Sequence, residues 1–276
     1  MDNLPEKIQA TYDRLVTSGY ISEAMPVWDD DKRAITNSIA RSAVFSVVEK
    51  GDRSPLLQQR VPAPSNYEII ITGERLSEAD RDIYLQAIHY FRGSGPNAEI
   101  RVHPRDFLLA IGRQDGLESR KWLWDSIRKI AKTLMEVTIT VREKKIKFVG
   151  SLLTIVSEET NGVPGEIRMR LPMDALRLYN ADSRTLISMT RRLSLKGPGS
   201  QLAKSLQAKI YSHKEPFPMK LETLMTQCGS KCKRVSDFKK SLIIALNLLK
   251  ENQDIENYSI SKDGIVQIKR KERGFQ

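Results

Sequence analysis

One ordering of elements occurs twice in this chain, and it restricts the fold more than any other feature. PRDFLLAIG opens with Pro104 and stops at Gly112, the residues that best suit the first position of a short helix and the residue just past its end. After the turn RQDG, ESRKWLWDSIRKIAKTL repeats its apolar residues at helical spacing and predicts a longer helix. EVTITVR, the turn EKK, IKFVGSLLTIV, the loop SEETNGVPGE and EIRMRL then read as β-rich runs. The same order returns. SQLAKSLQAKIYSHK is a helix, PFPMKL an extended entry, and ETLMTQCG a short helix ending at Gly229. Residues 229–253, GSKCKRVSDFKKSLIIALNLLKENQ, supply the longer helix. ENYSIS and IVQIKRK flank Lys262-Asp263-Gly264, and the Asp-Gly pair is a strong hairpin signal. Short helix, turn, longer helix, β-hairpin is the order of a winged helix-turn-helix. The expected fold is therefore α+β, with two tandem winged-helix domains at 28–180 and 181–276, parted by the turn-prone YNADS at Tyr179 to Ser183. Residues 1–27 are expected to form an N-terminal helix (4–18) and a linker.

Upstream of the first copy, residues 34–49 (AITNSIARSAVFSVVE) read as one buried helix, and GDRSPLLQQRVPAPSNYEIIITG as a hairpin. LSEADRDIYLQAIHYFRG is a helix with Ser77 and Asp80 placed as an acidic capping box and Gly93 after its end.

The two long helices have distinguishable faces. At 100° per residue, Val235, Phe238, Leu242, Ala245, Leu246 and Leu249 form one apolar stripe that must meet a core. Lys233, Ser236, Asp237, Lys240 and Asn247 fall opposite, with Lys239 at the flank and Lys231 and Arg234 beside the helix start. Cations at a helix N-terminus oppose the macrodipole, and an arriving phosphate would offset that conflict. Lys269, Arg270 and Lys271 end the hairpin behind this helix and extend the basic character. In the first long helix, Leu123, Ile127, Ile130, Ala131 and Leu134 form the expected buried stripe. Arg120, Lys121, Asp125, Arg128, Lys129 and Lys132 face outward, and Trp122 lies on the polar side, to stack on a partner or be covered by a loop. Lys144 and Lys145, with Lys147 beyond, mark the tip of the first expected wing. The formal net charge of +11 favours a polyanionic partner.

Other function classes find little support. No run approaches the length of a transmembrane helix, and the acid-bearing N-terminus MDNLPEKIQATYDRL is no secretory signal. Cys228 and Cys232 are the only cysteines, spaced as CxxxC without a second ligand pair, so free thiols in a reducing cytoplasm are expected rather than zinc. There is no P-loop, HExxH or GxSxG; His89, His103 and His213 are scattered, and Asp80 and Asp82 read as helix-surface acids. Neither an enzyme nor a cofactor is expected. A winged-helix repressor and a protein-interaction module are the competing readings.

The chain resembles the TrfA family of plasmid replication initiator proteins. The similarity lies in VWDDDKRAITNSIARSAVFSVV, ITGERLSEADRDIYLQAIHY, FLLAIGRQDGLESRKWLWDSIRKIAKTLMEVTI, GSLLTIV and KIYSHKEPFPMKLETLMTQCGSKCKRVSDFKKSLIIALNLL, in order from Val27 to Leu249. The resemblance implies binding of direct repeats (iterons) in double-stranded origin DNA, melting of an AT-rich neighbour, and a monomer–dimer equilibrium. It also implies host partners: the replication initiator, the helicase and the sliding clamp. Within it, Lys233 to Lys240 matches the second recognition helix and Arg120 to Lys132 the first. The family's clamp-binding pentapeptide of Gln-Leu-x-Leu-Phe type is not evident; Arg-Leu-Ser-Leu-Lys at 192–196 is a poor substitute.

Overall fold

The computed structural model describes residues 24–48, 54–95, 98–141, 144–160 and 163–271. The helix expected at 4–18 lies outside them. The described chain opens with strand β1 (Lys32–Thr36), helix α1 (Asn37–Arg41) and strand β2 (Phe45–Ser46), which replace the single helix expected over 34–49. Ala34 to Ala40 are buried without interruption, and a run buried all round has no period to separate strand from helix. Pairing decides: β1 lies antiparallel to residues 184–188, a partner far away in sequence.

β3 (Pro55–Val61) and β4 (Tyr67–Glu74) form the expected antiparallel hairpin. β5 (Leu76–Ser77) pairs parallel with β2 and leads into helix α2 (Glu78–Tyr90). The capping box is present: the Asp80 backbone N–H donates to Ser77 Oγ at 3.3 Å, and the Ser77 N–H donates to Asp80 Oδ2 at 2.7 Å. Asp80 and Asp82 are not surface acids. They are 1% and 7% exposed, because α2 is covered by other helices.

The repeated order then unfolds as read. β6 (Glu99–Val102), α3 (Pro104–Ala110) and α4 (Leu117–Lys132) are followed by β7 (Leu134–Val141), β8 (Lys144–Ser151), β9 (Thr154–Thr160) and β10 (Val163–Arg170). Helix α5 (Met173–Ala181), strand β11 (Arg184–Ser188, the partner of β1) and helix α6 (Met189–Ser194) lead to α7 (Ser200–Tyr211). The second copy is β12 (Met219–Lys220), α8 (Leu221–Gln227), α9 (Val235–Glu251), β13 (Ile255–Ile260) and β14 (Ile265–Arg270).

Strand pairing makes the repeat one of topology as well as order. In the sheet β6-β10-β9 the strand before the short helix pairs with the second strand of the hairpin, and β12-β14-β13 does the same. The first copy differs by an inserted hairpin. β7 and β8 join β3 and β4 in a four-stranded antiparallel sheet, with Tyr67 opposite Ile139 and Ile69 opposite Val137. The expected first wing at Glu143 to Lys147 therefore belongs to that sheet, and the hairpin that sits with β6 is β9–β10. The insertion is held by its inward row Met135, Val137 and Ile139, buried beside Ile69 and Ile71 of β4. Leu134, expected in the buried stripe of α4, starts β7 instead and is 45% exposed.

Two hydrophobic clusters result. The larger includes Ile35, Phe45, Tyr84, Phe107, Leu123 and Ile127; the smaller includes Leu202, Leu206, Phe238, Leu242 and Leu246. Ile187 and Met189 pack in the first and Leu195 in the second. The seam thus falls between Met189 and Leu195, beyond the 180/181 boundary read from the sequence.

Charged side chains buried at the seam join the clusters. Arg192, fully buried, donates from Nη2 to Glu78 Oε2 at 2.8 Å and from Nε to Asp82, which also receives Lys204 Nζ. Burial alone would push the Asp82 carboxyl up, but Arg192 and Lys204 outweigh it and hold it below the usual carboxylate range. Lys209 donates to the Ser42 carbonyl at 3.2 Å, and burial pulls its ammonium down to about 8. The turn after α8 also rests on the first cluster: the Val47 N–H donates to the Cys228 carbonyl at 2.9 Å. Gly229, at φ +63, fits there because a Cβ would stand 2.4 Å from Ser46 Oγ.

Candidate nucleic-acid interface

Helix α9 is built as its periodicity indicates. Phe238, Leu242, Ala245, Leu246 and Leu249 are buried at 1% exposure or less, and Val235 is half-buried. This places Lys233, Ser236, Lys240 and Asn247 in solvent, with Lys231 and Arg234 exposed beside the helix start and Lys239 half-buried. Arg234 is the N-cap, in extended conformation, and makes no side-chain cap. The first-turn N–H groups of α9 thus meet no capping side chain, and Lys233 and Arg234 stand beside that positive end. Asp237 is the acid of the first turn; it lies 3.8 Å from Lys240, both well exposed, a weak pair.

The other residues expected at this interface are placed differently. Asn247 Oδ1 accepts from the Tyr258 hydroxyl at 2.7 Å, which ties it to β13. Lys269, Arg270 and Lys271 lie at the base of the β13–β14 hairpin rather than its tip. Lys269 sits opposite Asn257 and pairs with Glu256 at 2.9 Å, Arg270 donates to the His213 carbonyl at 2.8 Å, and Lys271 donates to Gln253 Oε1 at 3.2 Å. That base adjoins the C-terminal end of α9, and the helix is 17 residues long, so it stands roughly 25 Å along the helix from the cationic start. The physical reason is register: a hairpin's second strand ends where its first begins. The tip carries Lys262, exposed, with Gly264 at φ +75 closing the turn. Lys262 was missed as an interface residue, although the Asp-Gly pair beside it marks the tip.

In the first copy the expected cations are partly committed. Arg120 makes a two-pronged bond to Asp115, 2.7 Å on each arm. This hydrogen bond holds the Asp115 carboxyl below its ordinary range and raises the Arg120 guanidinium. Lys121 lies 3.7 Å from Glu118. Lys129, expected outside, turns in to Asp80 at 2.6 Å. Trp122 is covered by Arg113, whose guanidinium stands 3.5 Å from the ring centroid. Arg128 and Lys132 remain exposed on α4. Lys145 is exposed on β8, in the four-stranded sheet and apart from α4, and Lys144 begins the same strand.

No catalytic or metal constellation competes with this surface. Among the described residues no group of His, Cys, Asp and Glu could hold a metal ion, and no helix is long and apolar enough to cross a membrane. Cys228 and Cys232 are free thiols.

The geometry defines a mixed α/β chain with a repeated helix–helix–hairpin unit and one basic helix end. A crystal structure of domains 2 and 3 of RctB shares the fold, with a TM-score of 0.55 over 87% of this chain and 100% of that one, at 15% identity. The TrfA protein family model matches residues 181–270, from the end of α5 through β14. The plasmid replication initiator protein TrfA of Escherichia coli is 23% identical over 246 residues, covering 88% of this chain. The chain spans 63% of that relative's length. The resemblance to the TrfA family read from the sequence is borne out.

Proposed function

We propose that the chain is a plasmid replication initiator that binds double-stranded DNA through winged-helix units, with α9 as its principal reading helix. One observation carries this: the α9 face opposite the Phe238–Leu249 stripe is basic and exposed at a helix end without a side-chain cap. Cations and free N–H groups converge where a DNA phosphate would lie, and Ser236 and Lys240 follow along the groove-facing side. That a relative at 23% identity is a replication initiator supports the same role here. In this reading the DNA is an origin repeat, the protein carries no catalysis of its own, and it opens the origin and recruits the host initiator, helicase and clamp. The two helix–helix–hairpin units are the winged-helix domains, and a monomer–dimer equilibrium sets the binding form.

The test is duplex binding by Lys233→Glu with Lys240→Glu. Both positions lie off the apolar stripe, so the fold survives, and affinity falls about a hundredfold with the loss of two cations at the phosphates. A protein-interaction module would bind, or fail to bind, DNA equally with and without the change. Neutralisation of roughly 6 to 10 phosphates gives a log–log salt slope of about −5 to −9; affinity that is flat across salt overturns the reading.

A further inference from the structure

A shallow groove of about 440 Å³ runs beside the C-terminal half of α4, in the first unit. Trp124, Arg128 and Lys132 line it from the helix, and Ser151 and Thr154 from the β8–β9 connection. Trp124 is 8% exposed, and its indole Nε1 is buried without a hydrogen-bond partner. A buried donor left unpaired is uncommon in a folded protein and points to an absent acceptor. Arg128 stands over the same indole, its guanidinium 6.0 Å from the ring centroid. Lys132 is four residues on, hence on the same helix face. Neither cation meets a carboxylate among the described residues, in contrast to Arg120 and Lys129 on the same helix. No acid lines the groove.

The groove therefore gathers two uncommitted cations, an orphan indole N–H and two hydroxyls. A neutral ligand would leave the charges unmatched, and a carboxylate offers few oxygens for so many donors. A phosphate carries both the charge and enough acceptor oxygens. We propose that this groove binds a phosphate group, with Arg128 and Lys132 neutralising it and the Trp124 indole N–H donating to one of its oxygens. The proposal deepens the DNA-binding reading when the phosphate is a backbone phosphodiester; a free nucleotide is the other source of the same chemistry.

The test follows the indole N–H directly, by nitrogen-15 NMR of the full chain. Trp124→Phe identifies the Trp124 indole peak by its disappearance. The expected result is a downfield move of that peak on adding a short duplex, ATP or pyrophosphate, and no move in the Arg128→Ala, Lys132→Ala double variant. Both changed side chains are exposed, and the unaltered remainder of the spectrum verifies the fold. A response to duplex at lower phosphate concentration than to ATP assigns the source to DNA, and the double variant then lowers the salt slope of duplex binding by about 1. A response to ATP first assigns it to a free nucleotide. A peak that stays still with all three probes, or moves equally in the double variant, overturns the site. The two readings fail separately. A still Trp124 peak in a chain that binds duplex through α9 sinks the groove alone. Duplex affinity that survives Lys233→Glu with Lys240→Glu sinks the α9 reading and leaves the groove standing.

Discussion

The first and second units share a strand–helix–helix–hairpin topology and differ in what their charges touch. On α4, Arg120 is held by Asp115 and Lys129 by Asp80. The hairpin after it reads SEETNGVPGE, with Glu158, Glu159 and Glu166 and neither Lys nor Arg. At the start of α9, Lys233 and Arg234 face solvent without an acid partner among the described residues. Topology thus fixes where a face lies, and local pairing decides whether that face is available to a polyanion. The expectation of two equivalent reading heads gives way to one strong face and one weaker.

Four experiments break or sharpen that contrast. The largest effect belongs to what the units share, their joint. Arg192→Ala strands Glu78 and Asp82 as buried, uncompensated acids and should cost about 3–5 kcal/mol. Chemical denaturation reads it, and a loss under 1 kcal/mol would show that the seam is not under load. Phe238→Ala removes a ring 1% exposed in the second cluster and should cost a similar ~3–5 kcal/mol. It should loosen the second unit while native-state hydrogen exchange of the first is preserved. Third, Arg120→Glu with Lys121→Glu on α4 should lower duplex affinity less than about threefold, against about a hundredfold for the α9 pair. Equal losses would restore two equivalent heads. The smallest effect is on pH. Burial, reinforced by Arg33 and Arg92, pulls His89 down to about 4, and burial with Arg41 and Lys209 does the same to His213. The unfolded chain then binds protons near 6.5 that the folded chain refuses until about 4. Stability is therefore lost as pH falls across that window, and His89→Gln should flatten the profile measured by thermal unfolding.

Much of this was legible in the sequence where the signal is local. The α9 stripe, the Ser77–Asp80 capping box, the two hairpins at 55–74 and 255–270 and the helix limits at Pro104 and Gly112 depend on residues within a turn or two of each other. What stayed hidden depends on distant partners. EVTITVR alternates equally well whether it pairs as a wing or joins β4, and only the register of Tyr67 opposite Ile139 decides. Lys129 looks outward on a helical wheel until Asp80, from another helix, draws it in. Arg191 and Arg192 read as an ordinary basic run, yet Arg192 is fully buried against α2. The orphan indole of Trp124 has no sequence signal at all, since burial without a partner is a property of packing.

The Arg192 joint also bears on how such a chain can change over generations. A protein built from a repeated unit invites shuffling, in which one half is traded for a relative's. Here Glu78 and Asp82 come from one half and Arg192 and Lys204 from the seam and the other. A hybrid that inherits the acids without the bases would bury bare charge at its waist. The halves are thus matched as a lock is to its key, and must be inherited together.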